Sequence, residues 1–473
     1  MQTSIVKFSS LNLELRVDAE YYRAEVLDKI NLLDKKGNGT LSDHATFIIG
    51  PFGSTVTMDQ YVPNSSFKYV RNRDINDFII SDDAPAFIPE QVYNKLPQFH
   101  IRVNDLLVTV VGTLGKVAIA TKKDASSIFS CKSTIIRSKK VDPFYLVAYL
   151  NSNVGQLFCL RGARGAIQQG LNLSDLKEIK VFLPTDVFQK SIRSKVEEAF
   201  AIGNEAKKLY IQAEQILLSE LGFLKWITKQ QLSYVKNYSD TQAKERIDAE
   251  YYRPIYEEIE KAIKTVRNYA RLGDIVTITK CFEPGSEKYQ EEGIPFLRVS
   301  NLSKYGINND NQQYISDKVY KELEGYQPLA GEILLSKDAT PGIAYYLKDK
   351  PVKMIPSSGI LRLHIKNKHE IIPEYLTLVL NSVIVQKQME RDVGGSIIDH
   401  WRLDQIKDVL IPILPIEQQK KISDKINQSF CDREKSKALL EIAKRGVEMA
   451  IEKTEKEAEK WIHIEVEKLN IKL

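Results

Sequence analysis

The chain has 473 residues, of which 43% are hydrophobic and 27% charged, with a formal net charge of +5 and four cysteines. This balance is typical of a folded protein of roughly three domains, at about 150 residues each, and gives no overwhelming polybasic signal. No stretch approaches the roughly 18 uninterrupted apolar residues of a membrane span. The N-terminus lacks the basic and apolar regions of an export signal, so we expect a cytoplasmic protein without a membrane partner.

In chain order, the first feature is an octet that occurs twice. RVDAEYYR at 16–23 returns as RIDAEYYR at 246–253, 230 positions later. Further matches follow in the same order, with offsets between about 225 and 231: DLLVTVVGTLGKVA with EILLSKDATPGIA, DPFYLVAYLNS with IPEYLTLVLNS, and LPTDVFQKSIRSKV with LPIEQQKKISDKI. The chain is therefore a tandem duplication whose halves differ by loop insertions.

Each half predicts the same order of elements after its octet. Short β-rich runs bounded by turns come first, as in FKYVRNRDI, DLLVTVV, STIIRS, GEILLS and SGILRLHI, and they predict the strands of a mixed domain. A helix follows, with Pro143 or Pro373 near its first turn. A Leu-Pro step at 183–184 or 414–415 then ends a final strand and begins a long helix.

The two long helices carry a heptad seam, because small and apolar residues recur at alternating four- and three-residue steps. Both seams share one register, so we expect an antiparallel pair with an internal pseudo-two-fold axis. About 30 helical residues make a rod about 45 Å long, somewhat more than one turn of B-DNA at about 34–36 Å. The alternative is that each helix packs only on its own domain. The seam residues are Ile192, Val196, Ala199, Ala206, Ala213 and Leu217 in the first helix and Ile422, Ile426, Leu440, Ala443 and Val447 in the second.

The predicted fold class is therefore α+β. Two duplicated mixed α/β domains are separated by two long antiparallel coiled-coil helices, with pseudo-two-fold symmetry. The predicted boundaries are an N-terminal segment at 1–24, a first mixed domain at 25–185, a central spacer helix at 186–225, a connector with the second octet at 226–252, a second mixed domain at 253–415, and a C-terminal spacer helix at 416–473.

Several motifs suggest catalysis or cofactor binding, but each lacks a residue or a structural context that its signature requires. GTLGK at 112–116 lacks the earlier glycine of a phosphate-binding loop, and Val117 stands where Ser or Thr must bind magnesium. DPFY at 142–145 lacks the second proline of an amino-methyltransferase signature, and a capped helix start explains it. GPFGS at 50–54 lacks the βαβ context of a dinucleotide site. Histidines and cysteines show no zinc-ligand spacing, so we expect a non-catalytic chain that binds no metal or cofactor.

These features together resemble the specificity (S) subunit of type I restriction-modification enzymes, over nearly the whole chain. The resemblance rests on GPFGS with the following TMDQYV, on IPFLRVSNLSKYGI at 294–307, on GEILLS at 331–336 and above all on LPIEQQKKI at 414–422. The first half departs from the last motif, since LPTDVFQKSI lacks its IEQQ core. This weakens the match of the first copy and leaves the duplication intact.

The resemblance implies a non-catalytic subunit that confers DNA sequence specificity. Each mixed domain would be a target recognition domain that reads one half of a bipartite double-stranded DNA target. The helical rod would set the gap and dock two methyltransferase (M) subunits, and restriction (R) subunits would complete an ATP-dependent endonuclease. S-adenosylmethionine, ATP and magnesium would then bind to the partner subunits and not to this chain.

Phosphate contacts use Lys, Arg and small polar side chains, and base contacts use Arg, Asn, Gln, Ser or Thr at exposed loop positions. The first half offers Lys68, Arg71, Arg73, Lys116, Lys132, Arg161, Arg164, Gln168, Gln169 and Asn172. The second half offers Arg298, Asn301, Lys304, Lys337, Ser357, Ser358, Arg391, Ser396, His400 and Arg402. The strongest candidate is the glycine-rich loop that follows Arg161. The alternative for each residue is an ordinary solvated side chain, and Arg71 and Arg298 are also candidates for structural ion pairs.

The octets carry a different chemistry. Asp and Tyr are poor phosphate ligands, and Tyr is favoured at interfaces. We therefore expect the octets to tie each domain to the rod or to the methyltransferase. The residues expected to make these partner or inter-domain contacts are Asp18, Tyr21, Tyr22, Asp248, Tyr251 and Tyr252.

Three other functions fit parts of the sequence. An S-like subunit of another anti-phage or modification system would read DNA in the same way with different enzymes. A stand-alone tandem-domain repressor or scaffold would bind specific DNA tightly as a lone chain. A self-sufficient methyltransferase would bind S-adenosylmethionine.

Overall fold

The computed structural model describes residues 5–6, 16–36, 39–165, 169–224, 226, 233–244, 246–266, 268–393 and 400–470. The chain divides into two compact units: unit 1 comprises Met1–Gly203 and Glu434–Leu473, and unit 2 comprises Asn204–Arg433. Each unit thus combines one mixed domain with a part of both long helices. The domain boundaries drawn from the sequence stay a prediction.

Unit 1 contains two small sheets and a group of helices. Its strands are β1 (Ala45–Ile49), β2 (Phe67–Val70), β3 (Ala86–Ile88), β4 (Leu106–Thr109), β5 (Val117–Ile119), β6 (Ser127–Phe129) and β7 (Ser133–Ser138). Its helices are α1 (Ala24–Asp34), α2 (Leu41–His44), α3 (Glu90–Asn94), α4 (Pro143–Asn151), α5 (Asn153–Arg161), α6 (Leu173–Lys177) and the first part of α7 (Asp186–Glu220).

Unit 2 repeats this order with additional short elements. Its strands are β8 (Tyr269–Arg271), β9 (Val276–Lys280), β10 (Ile294–Leu297), β11 (Leu302–Ser303), β12 (Gly306–Ile307), β13 (Gln313–Ile315), β14 (Glu332–Ser336), β15 (Ala344–Tyr346), β16 (Ile355–Pro356), β17 (Ile360–Ile365) and β18 (Leu410–Pro412). Its helices are α8 (Tyr238–Lys244), α9 (Pro254–Thr265), α10 (Leu272–Ile275), α11 (Asp317–Leu323), α12 (Pro373–Asn381), α13 (Val383–Asp392), α14 (Leu403–Asp408) and the first part of α15 (Ile416–Glu452).

The sheet topologies of the two units correspond strand by strand. Unit 1 has a four-stranded antiparallel sheet in the order β1-β7-β4-β5, and unit 2 has the order β9-β17-β14-β15. A second sheet, β3-β2-β6 in unit 1 and β13-β10-β16 in unit 2, has one antiparallel and one parallel pair in both cases. The central strands β4 and β14 are buried along their whole length, because helices or the second sheet cover both faces.

Buried polar side chains fix the same helix in each unit. Tyr145 of α4 donates to the Phe182 carbonyl at 2.7 Å, and its counterpart Tyr375 of α12 donates to the Pro412 carbonyl at 2.7 Å. Asn151 donates to the Val117 carbonyl at 2.8 Å in the same way, and Asn381 repeats this contact in unit 2. These bonds satisfy backbone groups that would otherwise be buried without a partner, which costs about 1–3 kcal/mol each.

The long helices α7 and α15 pack against each other in an antiparallel arrangement. In unit 1 the Ser436 hydroxyl donates to the Ala199 carbonyl at 2.7 Å, and in unit 2 the Ser429 hydroxyl donates to the Ala206 carbonyl at 2.6 Å. Such side chain-to-backbone bonds require close helix approach, which the small seam residues allow. The predicted α+β class with two duplicated mixed domains and two paired long helices is confirmed.

The seam residues of the sequence analysis lie as follows. Ten of the eleven are buried in the core of their own unit: Ile192, Val196, Ala199, Ala206, Ala213, Leu217, Ile422, Ile426, Ala443 and Val447. The eleventh, Leu440, is half-buried and packs at the edge of the core, while its neighbour Leu439 is fully buried.

A second helix, α16 (Glu455–Lys468), follows α15 where the sequence suggested one continuous helix. Thr454 adopts an extended conformation at φ −135°, and its hydroxyl accepts a bond from the Glu457 amide at 3.2 Å. This is an N-cap, and it starts a new helix. The apolar face of α16, with Ala458, Ile462 and Val466, is buried within unit 1.

Two further properties concern the described part of the chain. No helix in these ranges is long and apolar enough to cross a membrane. All four cysteines are unbonded, and burial raises the pKa of Cys159 and of Cys281 to about 12. Both buried thiols are therefore protonated at neutral pH and behave as apolar core groups.

In both four-stranded sheets an arginine pairs with a carboxylate at the start of the central strand, from Asp105 just before β4 or from Glu332 at the first position of β14. In unit 1, Arg137 donates to both carboxylate oxygens of Asp105 at 2.7 Å. In unit 2, Arg362 donates to Glu332 at 2.8 and 3.0 Å, and these two side chains are only 7% and 6% exposed. Such a pair is costly to break, because the remaining charge stays buried without compensation.

We predict that Glu332→Gln lowers the free energy of unfolding of unit 2 by about 3 kcal/mol, because the Arg362 guanidinium loses its counter-ion. Amide hydrogen exchange of β14 and β17 under increasing urea measures this quantity for unit 2 by itself. The exposed Glu322 of α11 provides the matched control, and Glu322→Gln is expected to change stability by less than about 0.5 kcal/mol. Equal effects of the two substitutions would contradict the prediction.

Candidate nucleic-acid interface

Four loops of unit 1 lie together, which we call the loop cluster of unit 1 (residues 71–74, 110–116, 130–132 and, in the fourth loop, 164–165 and 169–172). The Val110 amide donates to the Lys132 carbonyl at 2.9 Å, and the Leu171 amide donates to the Val110 carbonyl at 2.9 Å. The Gly112 amide donates to the Gln169 carbonyl at 3.0 Å. In addition, the Asn72 side-chain amide donates to the Val111 carbonyl at 3.1 Å. Backbone bonds therefore hold loops together that are distant in sequence.

The loop cluster of unit 2 (residues 298–301, 337–342, 357–359 and 400–402) repeats these contacts. The Lys337 amide donates to the Gly359 carbonyl at 2.8 Å, and the Trp401 amide donates to the Lys337 carbonyl at 2.8 Å. A Cβ atom on Gly359 would lie 2.9 Å from the Val299 side chain, so the first and third loops touch. Since the backbone bonds from the second loop to the third and fourth loops match, the two clusters are one duplicated structure.

Arg71 and Arg298 shape the first loop of each cluster. Arg71 donates to both oxygens of the buried Asp74 at 2.8 Å and to the Ala84 carbonyl at 2.6 Å. Hydrogen bonding to Asp74 raises the pKa of Arg71. Arg298 donates to the Asn311 carbonyl, and its amide donates to the side chain of the fully buried Asn301 at 3.2 Å. The geometry favours the ion-pair alternative for Arg71, whereas the Arg298 side chain bonds a backbone carbonyl. The DNA contact of both residues stays a prediction.

Several lysine candidates are engaged with groups of their own unit. Lys68 pairs with Asp82 at 2.7 Å, and Lys116 pairs with Asp77 at 3.3 Å. Lys337 pairs with Asp338. Lys304 lies about 5 Å from the ring centres of Tyr210 and Tyr305, a cation–π geometry. Contact with a DNA phosphate would require each ammonium group to exchange or share its present partner.

The arginines of the glycine-rich loops are also engaged. Arg164 pairs with Asp175 at 3.1 Å. Arg161 donates to the Tyr21 carbonyl at 2.9 Å and lies 3.7 Å from the centre of the Tyr21 ring, and burial lowers the pKa of Arg161. The counterpart of Arg161 in unit 2, Arg391, pairs with Asp392 and Glu260. Burial opposes the charged form of Arg391, but these two carboxylates raise its pKa overall.

The most exposed candidates remain at the loop surface. Arg73 is 67% exposed, His400 61% and Arg402 68%. His400 contacts Asp338 at 2.8 Å, and Arg402 contacts Asp404 at 3.3 Å. Lys132, Gln169 and Asn172 are exposed as well, Ser358 is half-buried and Ser357 is buried. Gln168 and Ser396 lie outside the described residues.

One exposed aromatic residue of unit 1 escaped the sequence analysis. Phe52 is 87% exposed and lies in GPFGS, which was considered as a failed dinucleotide motif and as part of the family resemblance, but not as a candidate DNA contact. Gly50 packs so closely on the chain at Ser130 that a Cβ would lie 2.1 Å from the Ser130 carbonyl oxygen, and Gly53 lies beside Cys131. Phe52 is therefore presented next to the third loop of the cluster. Two glycines around one aromatic residue were the available signal.

The octets lie differently in the two units. Tyr21 and Tyr22 are buried, at 3% and 6% exposure, within unit 1. Tyr251 and Tyr252 are half-buried in unit 2. Asp18 and Asp248 each accept two hydrogen bonds from the arginine two residues earlier, at 2.8 and 2.7 Å in both copies. The predicted partner contacts stay a prediction.

Metal ligation has no candidate cluster in the described ranges. No group of three or more His, Cys, Asp or Glu side chains there has the arrangement to hold a metal ion. The chemistry that the loop clusters offer is hydrogen bonding and positive charge, which suits a polar and anionic ligand.

Comparison with known proteins gives consistent matches. Residues 267–441 match the family described as "Type I restriction modification DNA specificity domain". The chain is 29% identical over 140 residues to the EcoBI type I restriction enzyme specificity subunit of Escherichia coli, a match that covers 29% of this chain and 30% of that protein. It is 22% identical over 404 residues to a Methanocaldococcus jannaschii protein named as the MjaX type I restriction enzyme specificity subunit, covering 83% of this chain and 88% of that protein.

Among solved structures, the S subunit of a type I restriction-modification system from M. genitalium matches with a TM-score of 0.39 and 15% identity. This match covers 88% of this chain and 94% of that chain.

The turn at 110–115 provides a stability prediction for the loop clusters. Gly112 has φ +82°, and its counterpart in unit 2 is Ala339, with φ +60°. We predict that Gly112→Ala destabilises unit 1, and Ala339→Gly stabilises unit 2, each by about 0.5–1 kcal/mol, because left-handed backbone strains a side chain. Space around Gly112 is open, so no clash contributes.

Amide exchange in each unit under denaturant measures both effects. Gly325→Ala serves as the control, because Gly325 has open surroundings and lacks a positive φ, so alanine is expected to be neutral or stabilising there. Changes of the same sign for Gly112→Ala and Ala339→Gly would contradict the strain argument.

Proposed function

Since this chain belongs to the family of type I restriction-modification specificity subunits, we propose that it is the DNA-reading subunit of such a complex, and that each unit reads one half of a bipartite double-stranded target. The observation that carries the proposal is the loop cluster that both units repeat. Polar and basic side chains stand at its surface, as base-edge and phosphate contacts require.

The two halves of the target differ in sequence under this proposal. Equivalent positions on the same loops carry different side chains: Arg73 stands opposite Ser300 in the alignment of the copies, Lys132 opposite Gly359 and Asn172 opposite Arg402. An arginine and an asparagine prefer different base edges, guanine and adenine respectively. Because the loops correspond and their surface side chains do not, we expect an asymmetric bipartite sequence.

The long helices act as spacer and docking surface in this proposal. α7 has 35 residues and α15 has 37, so they are about 53 and 56 Å long at 1.5 Å per residue. Their length would set the gap between the two half-sites. Exposed apolar side chains on these helices, such as Val187 at 77% and Ile211 at 52% exposure, support docking of two methyltransferase subunits, which would bind S-adenosylmethionine. Restriction subunits would supply the ATP- and magnesium-dependent activity, in the cytoplasm.

The test of this function is sequencing of the methylome of a host that expresses the chain with its cognate methyltransferase. We expect one bipartite methylated motif. Replacement of residues 25–185 by those of another family member should change one half of the motif only, and replacement of residues 253–415 should change the other half. A contiguous motif, or a change in both halves from a single replacement, would overturn the proposal.

A second prediction concerns the electrostatic contribution of the loop cluster. In the methyltransferase complex, Arg73→Ala and Lys132→Ala should each reduce the slope of log K against log salt by about 0.9, because each removes one phosphate contact. Lys140→Ala is the matched control. Lys140 is exposed and lies just after the end of β7, whereas Lys132 lies just before its start. Binding titrations at several salt concentrations measure the slopes. An equal reduction for the control would show that only net charge matters.

A further inference from the structure

The repeated octet has the same compact arrangement of side chains in both copies. Its arginine donates to both oxygens of its aspartate and lies over the ring of its first tyrosine, with Arg16 4.4 Å from the Tyr21 centroid and Arg246 4.5 Å from the Tyr251 centroid. The two tyrosines meet edge to face, with ring centroids 4.9 Å apart in the first copy and 5.0 Å in the second. Hydrogen bonding by Arg16 lowers the pKa of Asp18.

In unit 1 this compact octet contacts the start of the fourth loop of the cluster. Arg16, whose side chain is only 9% exposed, donates to the Gly162 carbonyl at 3.3 Å. Arg161 donates to the Tyr21 carbonyl at 2.9 Å, and the Tyr21 ring lies within cation–π distance of both guanidinium groups. The chain that enters the loop is thus fixed by charge, stacking and backbone bonds at once.

The octet also contacts the end of the same loop. The Tyr21 hydroxyl donates to Glu178 at 3.3 Å, just after α6. Arg16 lies 3.6 Å from the carboxylate of the buried Asp175, which also pairs with Arg164. The residues just before the loop and those just after it therefore contact the same two octet side chains, Arg16 and Tyr21. Within the loop, the backbone of Arg164 and Gly170 is paired in both directions, at 2.9 and 2.8 Å.

In unit 2, the described residues on either side of the fourth loop are held in a related way by other groups. Arg391 lies 5.4 Å from the centroid of the Tyr251 ring and pairs with Asp392 at 3.0 Å. The Gln405 side chain, the counterpart of Asp175, donates to the Asp392 carbonyl at 2.9 Å. The octet again stands at the base of the loop, although its tyrosines are less buried than in unit 1. The arrangement has thus persisted while individual partners changed.

We propose that each octet is a brace that fixes the base of the fourth loop and so sets how that loop meets its half-site. Arg16, Tyr21 and Arg161 are positioning residues in unit 1, and Arg246, Tyr251 and Arg391 are their counterparts. This proposal rests on the proposed function for its half-site consequence. It assigns the octet to DNA reading, whereas a tie to the rod or to the methyltransferase would make it an assembly element.

The first test measures the loop directly in the full chain. Tyr21→Leu keeps an apolar side chain and removes the ring between Arg16 and Arg161, so the amides of Gly112, Arg164, Gly170 and Leu171 should exchange at least tenfold faster. Tyr21→Phe keeps the ring and should stay within about threefold of the wild type. Tyr145→Phe removes a buried hydrogen bond of the same unit, to the Phe182 carbonyl outside the loop, and controls for general loosening. Unchanged exchange in Tyr21→Leu, or equal acceleration in Tyr145→Phe, overturns the brace.

The second test measures discrimination by the complex with its methyltransferase. Duplexes with single base substitutions in one half-site or the other are methylated, and the rate ratio to the intact target is taken for each half. We expect Tyr21→Leu to reduce discrimination at least tenfold in the half read by unit 1 and to leave the other half within twofold. Tyr21→Phe should restore it. Loss of complex assembly with unchanged discrimination in the assembled fraction overturns the proposal in favour of a docking role.

The two tests separate failure of this proposal from failure of the proposed function. If the wild-type complex shows no bipartite specificity, the proposed function fails, and the exchange measurement still decides whether the octet braces the loop. If the wild type is specific and Tyr21→Leu discriminates as well as the wild type, the brace has no role in reading.

Discussion

The close packing of α7 on α15 is the constraint on which the rest of the structure depends. Hydroxyl groups of Ser429 and Ser436 reach backbone carbonyls of the facing helix, and a Cβ on Gly203 would lie 3.0 Å from the Ser436 hydroxyl. Larger side chains at these positions would separate the helices. The hydrophobic core of each unit includes seam residues, for example Val196 in unit 1 and Leu217 in unit 2. A mixed domain of either unit therefore has no complete core without its part of the helix pair.

One class of interactions is the same in the two duplicated units, whereas another class differs between them. Bonds from buried side chains to backbone, such as those of Tyr145 and Tyr375, are the same in both units. Leaving such groups unsatisfied is expensive, so the side chains that make these bonds are constrained to one type. Surface side chains on the loops bear no such cost. This difference explains how one scaffold presents two dissimilar surfaces.

The sequence predicted what depends on periodicity and repetition. The duplicated order of strands and helices and the antiparallel pairing of α7 with α15 followed from spacing alone. The individual loop contacts did not, because they depend on where tertiary structure brings distant segments together. Arg161 is an example: its charge suggested a phosphate ligand, and its stacking on Tyr21 depends on a partner 140 positions away. The break before α16 was likewise missed, although Thr454 followed by Glu457 is a capping signal.

The sequence named Arg71 of the first loop as a candidate for a structural ion pair but left its partner unidentified. Arg71 and Asp74 are three residues apart, and their side chains and amides close a single turn. Asn301 takes the aspartate position in the second copy, so the turn survives without the ion pair. Phe52 was overlooked as a candidate contact because an exposed aromatic ring has no helical or strand period to mark it. Exposure of such a ring is a property of the folded loop alone.

The positive φ of Ala339 indicates the order in which the loop backbone and its side chains arose. Alanine does not favour this conformation, and the first copy has glycine at the equivalent position. The simplest order of events is that the path of the loop existed in the common ancestor of the two halves and that the alanine arose later, on a path already fixed by its surroundings. The backbone of the loops is then older than the residues they now carry. Under the proposed function, a lineage of such chains would reach new target sequences by exchanging side chains on an inherited path, without a new fold for each one.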